Sequence, residues 1–163
     1  MTHRPALRAA AALAAIAFAT SAAGAPAPDE AAALATVQRF FDAMAAVDRA
    51  TLAEVTFPDG VFTAVGFRPN GERRLDRIPV GGFIAGLKPG FHEAMWDPQI
   101  RLRGDLLATV SGPYEFQADG KTTHCGVDVF DLVKADGQWR IAALTWTAEP
   151  DACPALKAAR AAP

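Results

Sequence analysis

The 163-residue sequence holds one tyrosine, two cysteines and three histidines, and these sparse reactive side chains complete no signature of metal, phosphate or nucleophile chemistry. Gly81-Gly82 and the separate Gly86 are followed by neither a Gly-x-Gly-x-x-Gly run nor a Lys-Ser/Thr pair, so no phosphate loop is present. His92 and Glu93 are adjacent and the other acids scattered, which is not metal-ligand spacing; no metal site and no cofactor are expected. A basic excess is also missing. With 16 Lys+Arg against 18 Asp+Glu the formal charge is −2, which excludes a nucleic-acid-binding surface. What the chain does have is 51% hydrophobic and 21% charged residues, a balance that excludes a disordered chain and suits one domain with one ordinary core.

Residues 1–23 read as a signal peptide: a basic start with Arg4 and Arg8, an apolar stretch from Ala9 to Ala19, then the small residues Thr20-Ser21-Ala22-Ala23. The apolar stretch is about half of the roughly 20 residues needed to cross a bilayer. Cleavage after Ala23 is expected, since a cut after Ala25 would leave Pro26 at the new terminus. No Cys follows the stretch, which argues against a lipoprotein. Losing Arg4 and Arg8 leaves 14 of the 16 basic residues against 18 acidic ones, a mature charge of −4. The expected location is secreted or periplasmic, with no membrane association after cleavage. In an oxidising compartment Cys125 and Cys153 are expected to form a disulfide that pins the tail. The alternative is one buried thiol and one idle thiol in the tail.

A short linker, 24–28, leads into an amphipathic helix that begins at Asp29 and Glu30 and carries Leu34, Val37, Phe40, Phe41, Met44 and Val47 at helical spacing. Asp48 is placed to cap a second helix, Arg49 to Val55, which Pro58-Asp59-Gly60 would end. A strand from Val61 to Phe67, a turn at Pro69-Asn70-Gly71 and a glycine-weakened helical piece over 79–87 follow. Four long alternating segments then run over 92–103, 105–117, 121–134 and 138–148, separated by Gly104-Asp105, Asp119-Gly120 and Asp136-Gly137. The remaining 149–163 form a tail.

Counting outward from tight turns without bulges separates two sheet faces. One carries Trp96, Ile100, Leu102, Leu107, Thr109, Phe130, Leu132, Trp139, Ile141 and Ala143, then Ser111, Glu115, His124, Asp128, Thr145 and Thr147. The other carries Arg101, Arg103, Asp131 and Arg140, with Val110, Tyr114, Val127, Val129, Leu144 and Trp146. The first is expected to be concave and covered by the helices, its polar end forming a pocket mouth. The second would be convex, and its patch around Tyr114, Val127, Leu144 and Trp146 reads as a homodimer surface. A single bulge would reverse every assignment beyond it.

The order of helix, short helix, strand, helical piece and four long strands resembles the nuclear transport factor 2-like superfamily, which includes SnoaL-like polyketide cyclases and lumazine-binding-type proteins. Phe40-Phe41-Asp42-Ala43-Met44 before Asp48-Arg49-Ala50-Thr51-Leu52 is similar to its first helix pair. Gly126-Val127-Asp128-Val129-Phe130-Asp131-Leu132-Val133 leading to Asp136-Gly137-Gln138-Trp139-Arg140-Ile141 is similar to its closing hairpin. The resemblance covers about residues 29–148 and implies an α+β cone: helices packed on a strongly bent antiparallel sheet, usually dimeric, with a pocket at the wide end. It implies no single activity, because its members include isomerases, dehydratases, hydrolases, cyclases and proteins without known catalysis. The steroid-isomerase branch uses a pocket tyrosine with acids, whereas the face count puts Tyr114 outside.

His124 and Asp128 are the candidate acid–base residues. They are four apart on one strand, about 13 Å by strand rise, so they do not form a dyad by themselves. Either is equally readable as a satisfied structural group. His92, Trp96, Ser111, Glu115 and Thr145 are candidate ligand-binding residues, although a lone tryptophan is more often packing. Arg73, Arg74 and Arg77 could steer an anion or simply form a solvated charged face. These residues suggest an exported protein that binds a small apolar or aromatic molecule. The alternatives are a lyase, isomerase or hydrolase using His124 or Asp128, and an interaction module acting through the convex face.

Overall fold

The protein is described by a computed structural model covering residues 27–68 and 70–160. The expected leader and its cleavage site lie outside the described residues. Helix α1, Pro28–Ala46, has Asp29 and Glu30 in its first turn, where the Glu30 carboxylate accepts a hydrogen bond from the Ala27 amide at 3.0 Å. The Asp48 side chain caps α2, Arg49–Val55, accepting from the Ala50 and Thr51 amides at 3.1 Å each. Strand β1, Thr56–Phe67, follows immediately, so Pro58-Asp59-Gly60 lies within the strand. There the ladder to the neighbouring strand is interrupted between Thr56 and Val61. Next come β2, Arg73–Pro79, and α3, Val80–Gly86.

The first of the four expected long strands is two, β3 (Phe91–Met95) and β4 (Gln99–Arg103), broken at Asp97, whose φ is 47°. Strands β5 (Leu107–Ala118), β6 (Lys121–Ala135) and β7 (Gln138–Ala148) follow, and Cys153–Ala158 of the tail forms a short helix, α4. The sheet order is β2-β1-β7-β6-β5-β3, with β4 also on β5. All pairs are antiparallel except β1 with β7, so the sheet is mixed. Helix α1 buries Val37, Phe40, Phe41 and Met44 against the concave face. Phe40 meets Phe62, Phe83 and Phe130 there, with ring centroids 5.7 to 5.8 Å apart.

Two bulges and one loop set which side chains face this core. The first hairpin spends three residues, 104–106, on its turn, so Arg103 pairs with Leu107. Thr123 is an extra residue on β6, which makes His124 pair with Phe116. Ala142 is extra on β7, which makes Asp131 pair with Ala143 and Asp128 with Trp146. Because side chains alternate with period two, each one-residue slip exchanges the faces beyond it. The expected facings of β6 stand: His124, Asp128, Phe130 and Leu132 are concave. All of β5 is reversed, placing Val110, Tyr114 and Phe116 inside and Leu107, Thr109, Ser111 and Glu115 outside. In β7 Trp139 and Ile141 are inside as expected, but past the bulge Leu144 and Trp146 are inside and Ala143, Thr145 and Thr147 outside. The patch expected to form a dimer surface therefore loses Tyr114, Leu144 and Trp146 to the interior. Only Val127, 37% exposed, and the half-buried Val129 stay outside.

The tail is fixed as expected. Cys125 and Cys153 form a disulfide across 28 residues, with Cα atoms 5.0 Å apart. Lys157 of α4 adds an ion pair to Glu115 at 2.8 Å.

Candidate functional site

The register places a cluster of titratable side chains at the wide end of the concave face. On β2 the pairing of Arg74 with Gly66, Asp76 with Ala64 and Ile78 with Phe62 turns these three inward and leaves Arg73, Leu75 and Arg77 outward. On β3, Glu93 pairs with Phe116, and Phe116 with His124. Together with Met44, Ile78, Phe83, Phe91, Phe116 and Trp146, the side chains of Arg74, Glu93 and His124 enclose a cavity of about 240 Å³.

Glu93 and Asp128 form a carboxyl pair. Asp128 is 1% exposed and does not line the cavity; it hydrogen-bonds to Glu93 instead. Burial pushes Glu93 up to about 7, partly offset by that hydrogen bond. Burial first, and then the neighbouring Glu93, raise Asp128 well above the usual carboxylate range. Two close carboxyls in an apolar wall cannot both ionise, so the pair holds a proton near neutrality, one group able to donate while the other accepts. The Oδ2 atom of Asp128 is buried without a hydrogen-bond partner.

His124 is neutral at pH 7, because burial and the Arg74 charge bring it down to about 4. Its ring stacks on Phe116 at 5.2 Å and meets Tyr114 edge-on at 5.8 Å. Its Nδ1 lies 2.8 Å from the Thr123 hydroxyl, on the bulge residue itself. Tyr114 is concave, which removes the facing argument against a pocket tyrosine, but its hydroxyl donates to the Thr147 carbonyl at 2.8 Å. The O–H is thus spent on the backbone, and the steroid-isomerase arrangement is not reproduced. Burial raises the Tyr114 phenol further above its ordinary value.

The other expected ligand-binding residues lie elsewhere. Ser111 and Thr145 flank Val129 on the outer face. Glu115 is an outer residue held by Lys157 and by the Thr122 hydroxyl. His92 is exposed and pairs with Gln117. Trp96, 8% exposed, lies just past the end of β3 and lines an outer recess with Ala94, Met95, Glu115, Lys157 and Arg160. Sequence reasoning missed Glu93 as an acid and put Trp146 on the wrong face. Alternation was the signal for Glu93, since it sits two residues from both Phe91 and Met95. Arg74 was visible only as one of three arginines. A larger open depression of about 700 Å³ is lined by Phe67, Pro150 and Ala152 together with Arg68, Thr123, Glu149 and Asp151, and Phe67 is 51% exposed. Among the described residues, no group of three or more His, Cys, Asp or Glu could hold a metal ion, and no helix is long and apolar enough to cross a membrane.

No protein-family profile matches the sequence. No curated protein matches it either. Solved structures do match in fold. A nuclear transport factor 2-like protein from Cytophaga hutchinsonii is 20% identical with a TM-score of 0.56, over 71% of this chain and 93% of that one. A protein of unknown function with a cystatin-like fold from Nostoc punctiforme is 13% identical with a TM-score of 0.61, over 77% and 95%. A nuclear transport factor 2-like protein from Novosphingobium aromaticivorans is 15% identical with a TM-score of 0.59, over 80% and 87%. The chain has the nuclear transport factor 2-like fold: an α+β arrangement whose curved mixed sheet wraps the helices without closing.

Proposed function

We propose that this is an exported protein that binds a small, largely apolar organic molecule in the cavity lined by Arg74, Glu93 and His124. The observation that carries the reading is the cavity itself: six apolar side chains, four of them aromatic, around three polar groups, the mixture typical of small-molecule sites. Export is supported by the Cys125–Cys153 disulfide, which persists in oxidising compartments, and by the leader-like residues 1–23. Purification of the chain from a periplasmic extract, followed by mass spectrometry of material released on denaturation, tests the binding reading. A stoichiometric organic molecule absent from a Phe116→Trp variant, whose larger ring fills the cavity, is the expected result; an empty protein that binds no member of an aromatic compound library overturns it.

A second reading, an enzyme of lyase, isomerase or hydrolase type, is favoured by the Glu93–Asp128 pair. Glu93 would touch the substrate and exchange a proton with it, Asp128 would position and recharge Glu93, and neutral His124 would accept or donate a hydrogen bond. A protein of this fold from Streptomyces avermitilis is named, provisionally, a dehydratase. Turnover of a co-purified compound that falls at least a hundredfold in Glu93→Gln is expected on this reading. Equal turnover in wild type and Glu93→Gln would remove it.

A further inference from the structure

We propose that the cavity selects a small planar carboxylate, aromatic or conjugated, and holds its carboxylate on the terminal Nη groups of Arg74. The inference rests on the binding reading above and names the ligand class. Arg74 is the one cation in an otherwise apolar and carboxylic wall. Its Nε donates to Asp76 Oδ2 at 2.6 Å, and the other Asp76 oxygen is taken by Arg68 at 3.4 Å. One carboxylate is therefore shared between Arg74 at the cavity and Arg68 at the outer depression, so the Arg74 charge is only partly countered. The terminal nitrogens of Arg74 make no hydrogen bond to any described residue. A guanidinium bound at Nε presents its two remaining amino groups as a fork that matches a carboxylate bidentately.

The other groups agree with an anion. His124 does not compete as a cation, because it is neutral at pH 7. Glu93, raised to about 7, can be protonated and donate to the second oxygen of the ligand or to its conjugated chain. Phe83, Phe91, Phe116 and Trp146 favour a flat body. At about 30 Å³ per water the cavity has the space of roughly eight waters, which suits a single ring with a short side chain. The charged or titratable groups around the site are Arg74 and Asp76 of β2, Glu93 of β3, Tyr114 of β5, His124 and Asp128 of β6, and Glu149 beyond β7. Glu93, raised to about 7 by burial, changes charge between pH 6 and pH 8. Protonating it removes a repulsion, so carboxylate affinity should rise as pH falls across that window.

The test is calorimetric titration of the mature chain, residues 24–163, with three probes of one shape: trans-cinnamate, cinnamamide and cinnamylammonium. Cinnamate should bind at least tenfold tighter than the amide, with an affinity several-fold higher at pH 6 than at pH 8. Arg74→Met should abolish the preference and Arg74→Lys should retain part of it. Asp76→Asn, which keeps Arg74 and removes its counter-charge, should tighten cinnamate several-fold and so gives a gain that misfolding cannot mimic. Amide binding equal to or tighter than cinnamate, tightest binding of the ammonium, or a preference that survives in Arg74→Met overturns the proposal while leaving a pocket. Failure of all three probes to bind overturns the proposal and the binding reading together.

Discussion

Tyr114 and Gly126 show how far one side chain can rearrange a sheet. Tyr114 pairs with Gly126, and its hydroxyl reaches the Thr147 carbonyl at a point where the β6–β7 ladder lapses between Asp128↔Trp146 and the Cys125↔Glu149 bridge. In that gap the Val127 amide donates to the Thr147 hydroxyl at 3.0 Å. The Thr147 carbonyl sits so close over Gly126 that a β-carbon there would overlap it. Gly126→Ala should therefore cost about 2 kcal/mol or more, read as a lowered denaturant midpoint. Tyr114→Phe should cost about 1 kcal/mol, with the Thr147 carbonyl left unpaired. Glu93 makes a different prediction. Its pKa is near 4.5 unfolded and about 7 folded, so folding favours the protonated form. Stability from this group is complete below pH 4.5 and is lost as pH rises through 7. Stability should fall across that window by on the order of 3 kcal/mol, read as a lowered melting temperature, and the slope should flatten in Glu93→Gln. Asp29, Asp48 and Glu115 have lowered values and act with the opposite sign, but below the window.

At the level of elements, what the sequence made legible follows local chemistry. Apolar spacing located α1, the Asp48 side chain marked α2, and Asp-Gly pairs marked the last two hairpins. The nuclear transport factor 2-like architecture was readable from their order. What could not be read were features without a residue signature. Thr123 and Ala142 are ordinary strand residues, and nothing in either identity announces a bulge; the ladder accepts them because the sheet must bend around α1. The candidate site suffered accordingly. His124 and Asp128, on β6, were correctly faced, while Ser111, Glu115 and Thr145, on the two flanking strands, were not. Glu93 was marked by its alternation with Phe91 and Met95, but its partner Asp128 came beside it only once β3 was paired with β5 and β5 with β6. The α4 helix gives the next prediction. A 28-residue loop corresponds to roughly 3 to 4 kcal/mol on the chain-entropy model. Replacing both cysteines by serine should lower stability by about that amount or somewhat less, and amide exchange should accelerate most over Cys153–Ala158, which buries no side chain completely.

For the whole molecule, the interior is divided between a dry end packed around Phe40, Phe62 and Phe130 and a wide end left open beside Arg74, Glu93 and His124. The outer face is much less sticky than simple alternation suggested, because its three largest expected members are inside. An interaction module centred on Trp146 loses its anchor for the same reason, since Trp146 lines the cavity. Export is a property of the whole chain and is checked directly: protein recovered from the periplasm should begin at Gly24 by N-terminal sequencing and show no free thiol. A full-length chain retained in the cytoplasm would contradict the leader assignment.

The two bulges let strand length vary by a residue while the pocket wall stays the same. Deleting Ala142 would join Ile141 directly to Ala143 and make the ladder regular, yet leave Leu144 and Trp146 inside, because Leu132 already pairs with Ile141 and Asp131 with Ala143. Deleting Thr123 would likewise keep His124 opposite Phe116 and Thr122 opposite Gln117. A lineage carrying this fold can therefore gain or lose these single residues without changing the pocket wall, whereas two relatives aligned column by column without a gap at these points would have inside matched to outside.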